Sequence, residues 1–196
     1  PVNDHTFYCI DLGIDKAKAY CIDSMTRNWE PVPTLDIIVN KGAGTRHMDM
    51  SLDKEWLVLI GELSGELFLF HSMQGGFQQV DKASLGEKNM SAAAIRIHAN
   101  GRYIYCSERK TNSIFAFSVS DKKLQLLGRF SSVGTTPRDI SIDPTGKWLL
   151  AANQDNNTIA VFAIETLSGE LQYTHSYYVP TPSSICWQFQ RISYLT

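Results

Sequence analysis

RHMDMSLDKEWLVLIGELSGELFLF, residues 46–70, is the first of three segments that align with one another without gaps. The other two are AAIRIHANGRYIYCSERKTNSIFAF (residues 93–117) and RDISIDPTGKWLLAANQDNNTIAVF (residues 138–162). Each contains an alternating apolar run, a polar turn, a hydrophobic run opened by an aromatic residue, a polar loop and a third run that ends in phenylalanine. A fourth, degenerate copy covers residues 7–22. The period of about 45–50 residues is typical of a β-propeller blade.

A further alternating segment follows the third run in every copy, at residues 35–39, 77–80, 124–127 and 171–173. Four short strands joined by turn residues such as Asn100-Gly101 predict one four-stranded antiparallel blade per repeat. No window carries a sustained helical stripe of apolar residues, so we expect little helix.

The sequence therefore predicts an all-β fold of about four blades. The prediction is a single partial β-propeller domain over residues 1–196, with repeats at approximately 4–40, 44–83, 91–130 and 136–178. The first repeat lacks its innermost strand, and residues 181–189 are expected to begin another inner strand, the closing strand. A partial ring leaves strand edges open, and such edges favour self-association.

Composition excludes several classes of protein. The 196 residues are 43% hydrophobic and 19% charged, which is ordinary for a globular chain and unlike a disordered one. A net charge of −2 gives no electrostatic footprint for nucleic acid or an anionic membrane. No stretch approaches the ~18 apolar residues of a membrane span. We expect no nucleic-acid partner, no membrane partner and, since residues 1–4 do not resemble a signal peptide, a cytoplasmic location.

The cysteines and known motifs give no sign of a metal or cofactor. Cys9, Cys21, Cys106 and Cys186 are scattered and have no C-x-x-C spacing, which predicts buried free thiols in a reducing compartment and no metal site. Motifs of serine hydrolases, zinc hydrolases and phosphate-binding loops are missing from the sequence. We therefore expect chemistry without a cofactor.

Polar residues recur at loops that share one face of a propeller. The start of strand one and the end of strand two lie on the same side of a blade, so these side chains are expected to converge at one mouth of the central channel. They are Arg46, His47, Arg138 and Asp139 at the starts of first strands, and Asp11, Glu62, Arg109 and Gln154 at the ends of second strands. Arginines bind carboxylates or phosphates and stabilise an oxyanion, and a carboxylate or imidazole moves a proton. The pattern predicts a metal-free reaction on a small anionic substrate.

Ordinary structural roles compete with this interpretation. Charged loop residues are common on any propeller surface. Arg138 and Asp139 are expected to form an ion pair with each other, and His47 is as well suited to a structural hydrogen bond as to general base catalysis.

Six short motifs resemble, in family order, those of the seven-bladed lactonase propellers. That family includes propeller-type 6-phosphogluconolactonases and fungal 3-carboxy-cis,cis-muconate lactonizing enzymes. The motifs are Asp11-Leu12-Gly13-Ile14-Asp15, Gly42-Ala43-Gly44-Thr45-Arg46-His47, Gly61-Glu62-Leu63-Ser64, Ser107-Glu108-Arg109, Thr136-Pro137-Arg138-Asp139 and Ala152-Asn153-Gln154-Asp155.

The resemblance implies roughly the last four blades of a seven-bladed ring. It implies catalytic roles for Glu62, Arg46, Arg109 and the adjacent His47; the remaining loop residues, Asp11, Arg138, Asp139 and Gln154, would bind substrate. The activity it implies is metal-free hydrolysis of a small anionic sugar lactone, 6-phosphoglucono-1,5-lactone of the pentose phosphate pathway. The alternatives are a carboxy-muconate lactonizing cycloisomerase and a non-catalytic propeller scaffold.

Two positions depart from the family motifs. Thr45 replaces a proline, which is expected to leave the Arg46 backbone less fixed. Glu108 replaces an asparagine and is expected to pair with Arg109.

Overall fold

The computed structural model describes residues 5–86 and 90–188, and its strands form four antiparallel sheets of four strands each. The prediction of an all-β fold built from four-stranded blades is confirmed. Blade 1 contains β1 (Thr6–Asp11), β2 (Lys16–Ile22), β3 (Trp29–Pro31) and β4 (Ile37–Ile38). Blade 2 contains β5 (Thr45–Met50), β6 (Trp56–Gly61), β7 (Glu66–Met73) and β8 (Gly76–Ser84). Blade 3 contains β9 (Ala92–Ile97), β10 (Tyr103–Glu108), β11 (Ser113–Ser120) and β12 (Lys123–Ser131). Blade 4 contains β13 (Pro137–Ile142), β14 (Trp148–Asn153), β15 (Thr158–Ile164) and β16 (Leu171–Tyr178).

Blade 1 differs from the others along its outer edge. The predicted strand over residues 35–39 is reduced to β4, and β3 pairs with the other end of β2. A 3-10 turn at Pro33–Leu35 separates the two pieces. Pro33 has no N–H to give to a strand ladder, which explains the interruption.

The hydrophobic cores lie between neighbouring blades. Three clusters fill the seams between blades 1 and 2, blades 2 and 3, and blades 3 and 4. The repeated phenylalanines of the third strands, Phe70, Phe117 and Phe162, are at most 3% exposed and belong to these clusters. Because each blade buries its faces against its neighbours, the seams hold the blades in a fixed arrangement.

A recurrent polar contact reinforces two of the blade-to-blade connections and the connection from blade 4 to residues 181–188. A residue at positive φ lies in the turn between the second and third strands of the repeat, which are β1 and β2 in blade 1. The side-chain oxygen of this residue accepts a hydrogen bond from the backbone N–H just before the next repeat begins. Asp15 Oδ1 accepts from Gly44 N at 2.6 Å, Asn112 Oδ1 from Thr136 N at 2.8 Å and Asn157 Oδ1 from Thr181 N at 2.8 Å. We call this contact the inter-blade clasp.

Blade 2 has glycine at the clasp position. Gly65 also has positive φ, at 65°, but it offers no side-chain acceptor. Its counterpart donor, Ser91 N, instead donates to Glu108 Oε1 at 2.6 Å. A Cβ on Gly65 would lie 2.5 Å from Cγ of Met90, so this seam is closed by packing where the others use a clasp.

Residues 181–188 continue the repeat beyond blade 4 without forming a strand. Their TPSSI (181–185) repeats the TPRDI of residues 136–140. Ile185 N donates to Asp139 Oδ2 at 2.8 Å, and Trp187 Nε1 donates to Ser141 Oγ at 2.9 Å. The segment thus lies beside β13. The predicted closing strand is not formed over 181–188, because no sheet neighbour pairs with it in the described chain; residue 189 lies outside the described residues.

The four cysteines are free thiols, but only Cys106 is buried; Cys9 and Cys186 are exposed, which corrects the expectation of buried thiols. No helix in the described ranges is long and apolar enough to cross a bilayer. Over the same ranges, no group of three or more histidine, cysteine or acidic side chains is placed to bind a metal ion.

Candidate functional site

A β-bulge in each of two inner strands, β5 and β13, places an arginine at the same face of the blades. Thr45 pairs with Gly61 and His47 pairs with Ile60, so Arg46 is an extra residue in β5. The same shift between Pro137 and Asp139 makes Arg138 the extra residue in β13. A bulge leaves its extra residue out of the ladder and re-aims the side chain. Both arginines consequently line the same cavity.

The cavity has a volume of about 490 Å³, within the usual range for small-molecule sites. Five of the eight predicted site residues line it. The lining residues are Leu12, Arg46, His47, Glu62, Arg96, Arg138, Asp139, Ser183 and Ser184. Three predicted residues, Asp11, Arg109 and Gln154, are outside this lining.

Glu62 is held between two arginines from neighbouring blades. Its Oε2 lies 2.8 Å from Arg46 Nε, and its Oε1 accepts from Arg109 Nη2 at 2.5 Å. The three side chains are about one-fifth exposed, so they are largely screened from solvent. Two of them, Arg46 and Glu62, line the cavity. We call this group the arginine–glutamate triad.

Backbone carbonyls of blade 3 fix both arginines of the triad. Arg46 Nη1 donates to Ala93 O at 2.6 Å, and Arg109 Nε donates to Ser91 O at 3.3 Å. Burial and the nearby Arg109 lower the pKa of Arg46, while Glu62 opposes that change. The triad therefore spans the seam between blades 2 and 3 and is rigid before any ligand binds.

The structure shows what occupies the two positions that depart from the family motifs, and it contradicts the expected pairing of Glu108 with Arg109. Thr45 Oγ1 donates to Asp11 O at 2.8 Å, a bond that proline could not make, and this contact fixes the strand beside Arg46. Glu108 is fully buried and does not pair with Arg109. It accepts from the backbone of Ser91 and from Thr111. Burial raises the pKa of Glu108, but these hydrogen bonds outweigh burial and hold the pKa below its usual range.

His47 is engaged by a second arginine, Arg96. Arg96 Nη1 lies 2.9 Å from His47 Nε2, and Arg96 Nη2 lies 3.1 Å from Asp139 Oδ1. Burial, followed by the charge of Arg96, lowers the pKa of His47 to about 4. The imidazole is therefore neutral at pH 7, and a guanidinium donor occupies the nitrogen lone pair that a general base would need. This geometry favours the structural interpretation of His47.

The expected ion pair between Arg138 and Asp139 is not formed. Asp139 pairs with Arg96 and accepts from Ile185 N, whereas Arg138 Nη1 donates to the amide oxygen of Gln154 at 3.2 Å. The bulge at Arg138 separates the directions of the two neighbouring side chains. Gln154 thus positions Arg138 and is outside the cavity lining.

Asp11 does not line the cavity, because the predicted alignment of the first repeat with the others is shifted by one residue. Asp11 pairs with Lys16 as Glu108 pairs with Ser113, so Leu12 is the counterpart of Glu62, Arg109 and Gln154. Leu12 lines the cavity. The Asp11 carboxylate is exposed and accepts from Gly13 N at 3.0 Å, which caps the following 3-10 turn.

Arg96, Ser183 and Ser184 are the polar cavity residues that the sequence analysis missed. Arg96 follows Ala94 by two residues in β9, as Asp49 follows His47 and Ser141 follows Asp139. Since alternate residues of a strand share one face, this polar alternation was a usable signal. The two serines stand in TPSSI at the places of Arg138 and Asp139 in TPRDI.

Positive charge exceeds negative charge at this mouth of the channel. Four guanidinium groups, those of Arg46, Arg96, Arg109 and Arg138, lie in and beside the cavity with the two carboxylates of Glu62 and Asp139. An electropositive, partly enclosed cavity favours a small anion and stabilises negative charge that develops during a reaction.

Comparison with known proteins gives consistent matches over almost the whole chain. A family model described as "Lactonase, 7-bladed beta-propeller" matches residues 2–189. The chain is 30% identical over 178 residues to a 6-phosphogluconolactonase of Formosa agariphila, covering 87% of this chain and 50% of that relative. It is 27% identical over 194 residues to a 6-phosphogluconolactonase of Bacillus subtilis, covering 92% of this chain and 52% of the relative. The chain spans about half the length of the curated relatives it matches.

Solved structures match a similar share of this chain and about half of their own length. The periplasmic gluconolactonase of Pseudomonas aeruginosa superimposes with a TM-score of 0.82 at 28% identity, over 92% of this chain and 53% of that one. A protein from Lactobacillus plantarum superimposes with a TM-score of 0.84 at 28% identity, over 93% of this chain and 55% of that one.

Proposed function

The chain belongs to the seven-bladed β-propeller lactonase family, and we propose that it contributes the reactive site for hydrolysis of a small anionic sugar lactone. The proposed substrate is 6-phosphoglucono-1,5-lactone, which would place the reaction in the pentose phosphate pathway. Relatives named 6-phosphogluconolactonase support this choice. The single observation that carries the proposal is the arginine–glutamate triad, a carboxylate held rigidly between two guanidinium groups at the mouth of an electropositive cavity.

The triad has the groups that lactone hydrolysis requires. Water adds to the lactone carbonyl carbon, and the Glu62 carboxylate accepts a proton from that water. The carbonyl oxygen becomes an oxyanion, which the guanidinium of Arg46 stabilises, and Arg109 holds Glu62 in place. The bond between the carbonyl carbon and the ring oxygen then breaks, the proton passes to the ring oxygen, and the product is the open-chain acid. In this scheme His47 positions Arg96 and transfers no proton.

Two other functions are less well supported than hydrolysis. A muconate lactonizing enzyme would use the same arginines to hold carboxylates; the relatives named above favour hydrolysis over this alternative. A non-catalytic propeller would retain the fold and lose turnover. Substrate and product assays separate the three functions.

The test is hydrolysis of 6-phosphoglucono-1,5-lactone by the 196-residue chain, with the spontaneous rate subtracted. Glu62→Gln keeps the shape of the side chain and removes its basic oxygen, so we expect kcat to fall about 10²- to 10³-fold. Glu66→Gln is the matched control, since Glu66 lies in the same blade, pairs with Lys82 and is outside the cavity; we expect its rate to be unchanged.

Three results would contradict parts of this proposal. Full activity in Glu62→Gln would exclude Glu62 as the proton acceptor. A folded chain that does not exceed the spontaneous rate would show that these residues alone do not form an active lactonase. Conversion of 3-carboxy-cis,cis-muconate in preference to the lactone would establish the cycloisomerase.

A cytoplasmic location and self-association through open blade edges are also proposals. Fractionation of cells that express the chain tests the location. Sedimentation at several protein concentrations tests the association. A monomer at all concentrations would contradict self-association.

A further inference from the structure

Arg138 differs from the other three arginines at the channel mouth. Arg46, Arg96 and Arg109 each have a carboxylate oxygen within 3.1 Å. Over residues 5–86 and 90–188, no carboxylate pairs with Arg138, and its recorded side-chain partner is the neutral amide oxygen of Gln154 at 3.2 Å. A guanidinium has five N–H donors, so most of the donors of Arg138 remain available to a ligand.

The unpaired positive charge of Arg138 is unfavourable at this place in the cavity unless an anion binds there. The bulge in β13 places this guanidinium at a cavity that already has an excess of positive charge. Like charges at short range repel, and partial burial weakens the screening of that repulsion by water. Arg138 is among the charges that lower the pKa of Arg46, so the repulsion reaches the arginine–glutamate triad.

Two serines line the cavity together with Arg138. Ser183 and Ser184 belong to the segment that lies beside β13, and the contact between Ile185 N and Asp139 Oδ2 holds this segment in place. Neither hydroxyl has a recorded hydrogen-bond partner in the described part of the chain. Together they offer hydroxyl donors beside a guanidinium fork.

We propose that Arg138, with the hydroxyls of Ser183 and Ser184, binds the phosphate group of the lactone substrate; this inference rests on the proposed lactonase function. A phosphate has several charged oxygens that point in different directions. A fork with two parallel N–H groups and separate hydroxyl donors therefore suits it better than it suits a planar carboxylate, which the fork alone would satisfy.

The chemistry of the substrate links the phosphate site to the triad. In a 6-phosphorylated 1,5-lactone, the carbon that bears the phosphate arm and the carbonyl carbon are the two neighbours of the ring oxygen. Binding the phosphate at Arg138 consequently limits the directions in which the carbonyl can point, and Glu62, Arg46 and Arg138 line one cavity. Arg138 thus acts as a specificity-determining residue, separate from the groups that stabilise the reacting carbonyl.

The test compares 6-phosphoglucono-1,5-lactone with glucono-1,5-lactone, which lacks the phosphate. We expect Arg138→Ala to lower kcat/KM for the phosphorylated lactone about 10- to 100-fold, mainly through a higher KM. We expect the same variant to change kcat/KM for the unphosphorylated lactone by no more than about twofold, because the triad is intact. Arg138→Lys is expected to restore part of the loss, since a point charge replaces the fork.

The control is Arg102→Ala, which removes an exposed arginine from the turn between β9 and β10, at the opposite mouth of the channel. It should leave both substrates unaffected. Ser183→Ala with Ser184→Ala should lower kcat/KM for the phosphorylated lactone alone, by about 3- to 10-fold. An equal loss on both lactones in Arg138→Ala would overturn the inference.

A binding measurement separates failure of this inference from failure of the proposed function. If the wild-type chain hydrolyses neither lactone, titration calorimetry compares 6-phosphogluconate with gluconate. A preference for 6-phosphogluconate that disappears in Arg138→Ala would support the phosphate site even though hydrolysis fails. Equal binding of the two acids, no binding of either, or an undiminished preference in the variant would overturn it.

Discussion

Neighbouring blades are joined by different polar contacts at two seams, the one between blades 2 and 3 and the one between blades 3 and 4. At the seam between blades 3 and 4, Asn112 accepts Thr136 N in the inter-blade clasp. At the seam between blades 2 and 3, Gly65 has no side-chain acceptor, and the equivalent donor, Ser91 N, is bound within blade 3 by Glu108. The arginine–glutamate triad crosses this second seam. Both seams carry an ion pair of the candidate site, because Arg96 pairs with Asp139 across the seam between blades 3 and 4 as Glu62 pairs with Arg109 across the seam between blades 2 and 3. The seam between blades 3 and 4 has a clasp in addition, and the seam between blades 2 and 3 has none.

The difference predicts that the seam without a clasp, between blades 2 and 3, depends more on residues of the candidate site for its stability than the seam between blades 3 and 4. Repeat proteins derive their stability from contacts between neighbouring repeats, so equivalent seams can be compared directly. Residues that bind a ligand at the seam between blades 2 and 3 also hold its blades together. Substitutions there should affect the free energy of unfolding more than equivalent substitutions at the clasps.

The largest expected effect is that of Glu62→Ala. This change leaves Arg46 and Arg109 without a counter-charge where their side chains are about one-fifth exposed. We expect the free energy of unfolding, measured by urea denaturation, to fall by about 2–3 kcal/mol. The comparable change at the more exposed Glu66–Lys82 pair, Glu66→Ala, should cost less than about 1 kcal/mol. Equal losses in the two variants would show that the triad does not stabilise its seam.

Gly65→Ala should cost about 2 kcal/mol. The added Cβ would lie 2.5 Å from Met90 Cγ, and alanine is strained at a φ of 65°. The measurement is again urea denaturation, with Gly75→Ala as control, since Gly75 also has positive φ but open space around its Cβ position. A loss in Gly65→Ala no greater than in the control would mean that packing on Met90 contributes nothing.

His47, which contacts Arg96 across the seam between blades 2 and 3, should make the free energy of unfolding sensitive to acid. Its pKa in the folded protein is lowered from 6.5 to about 4, so below pH 6.5 the unfolded chain binds a proton that the folded chain does not. The stabilisation present above pH 6.5 is therefore lost progressively as the pH falls toward 4. We expect a contribution of about 1.5 kcal/mol to the loss between pH 6.5 and pH 5.

The check is the pH dependence of urea denaturation in His47→Gln, which should lack this contribution. His175→Gln is the control because His175 is exposed on β16. If both variants lose stability between pH 6.5 and pH 5 as the wild type does, His47 is not responsible.

The smallest effect is expected at the clasp itself. Asn112→Gly keeps the positive φ available and removes the acceptor, so it should cost about 1 kcal/mol by urea denaturation. Asn112→Asp restores an acceptor oxygen, as Asp15 provides in blade 1, and should be within about 0.5 kcal/mol of the wild type. A loss in Asn112→Asp as large as in Asn112→Gly would contradict the role of the clasp.

The repeats made much of the fold and half of the site predictable. Three copies of equal length align without gaps, so the ends of strand two in blades 2 to 4 were located correctly, and the convergence of Arg46, Glu62 and Arg138 followed from blade geometry. Asp11 was misplaced because the first copy is degenerate and has no strand one to anchor its register. In such a segment, an error of one residue exchanges an inward side chain for an outward one.

The sequence does not predict which groups the charged residues contact. Arg96 bridges His47 and Asp139 from the blades on either side of it, which depends on how closely the inner strands approach across the channel. Asp139 therefore pairs with Arg96, although Arg138 is its neighbour in the chain. Glu108 likewise binds backbone N–H groups that only the folded loop brings together.

The bulged position at the start of each inner strand has a consequence for protein engineering. Arg46, Ala93 and Arg138 occupy this position in blades 2, 3 and 4, and Ser183 stands there in the repeated segment that follows. These four side chains do not belong to the clusters between the blades. A combinatorial library randomised at Arg138 and Ser183 would vary the charge and shape of the cavity. Ala93 is fully buried and Arg46 contacts blade 3, so these two positions would be left unchanged.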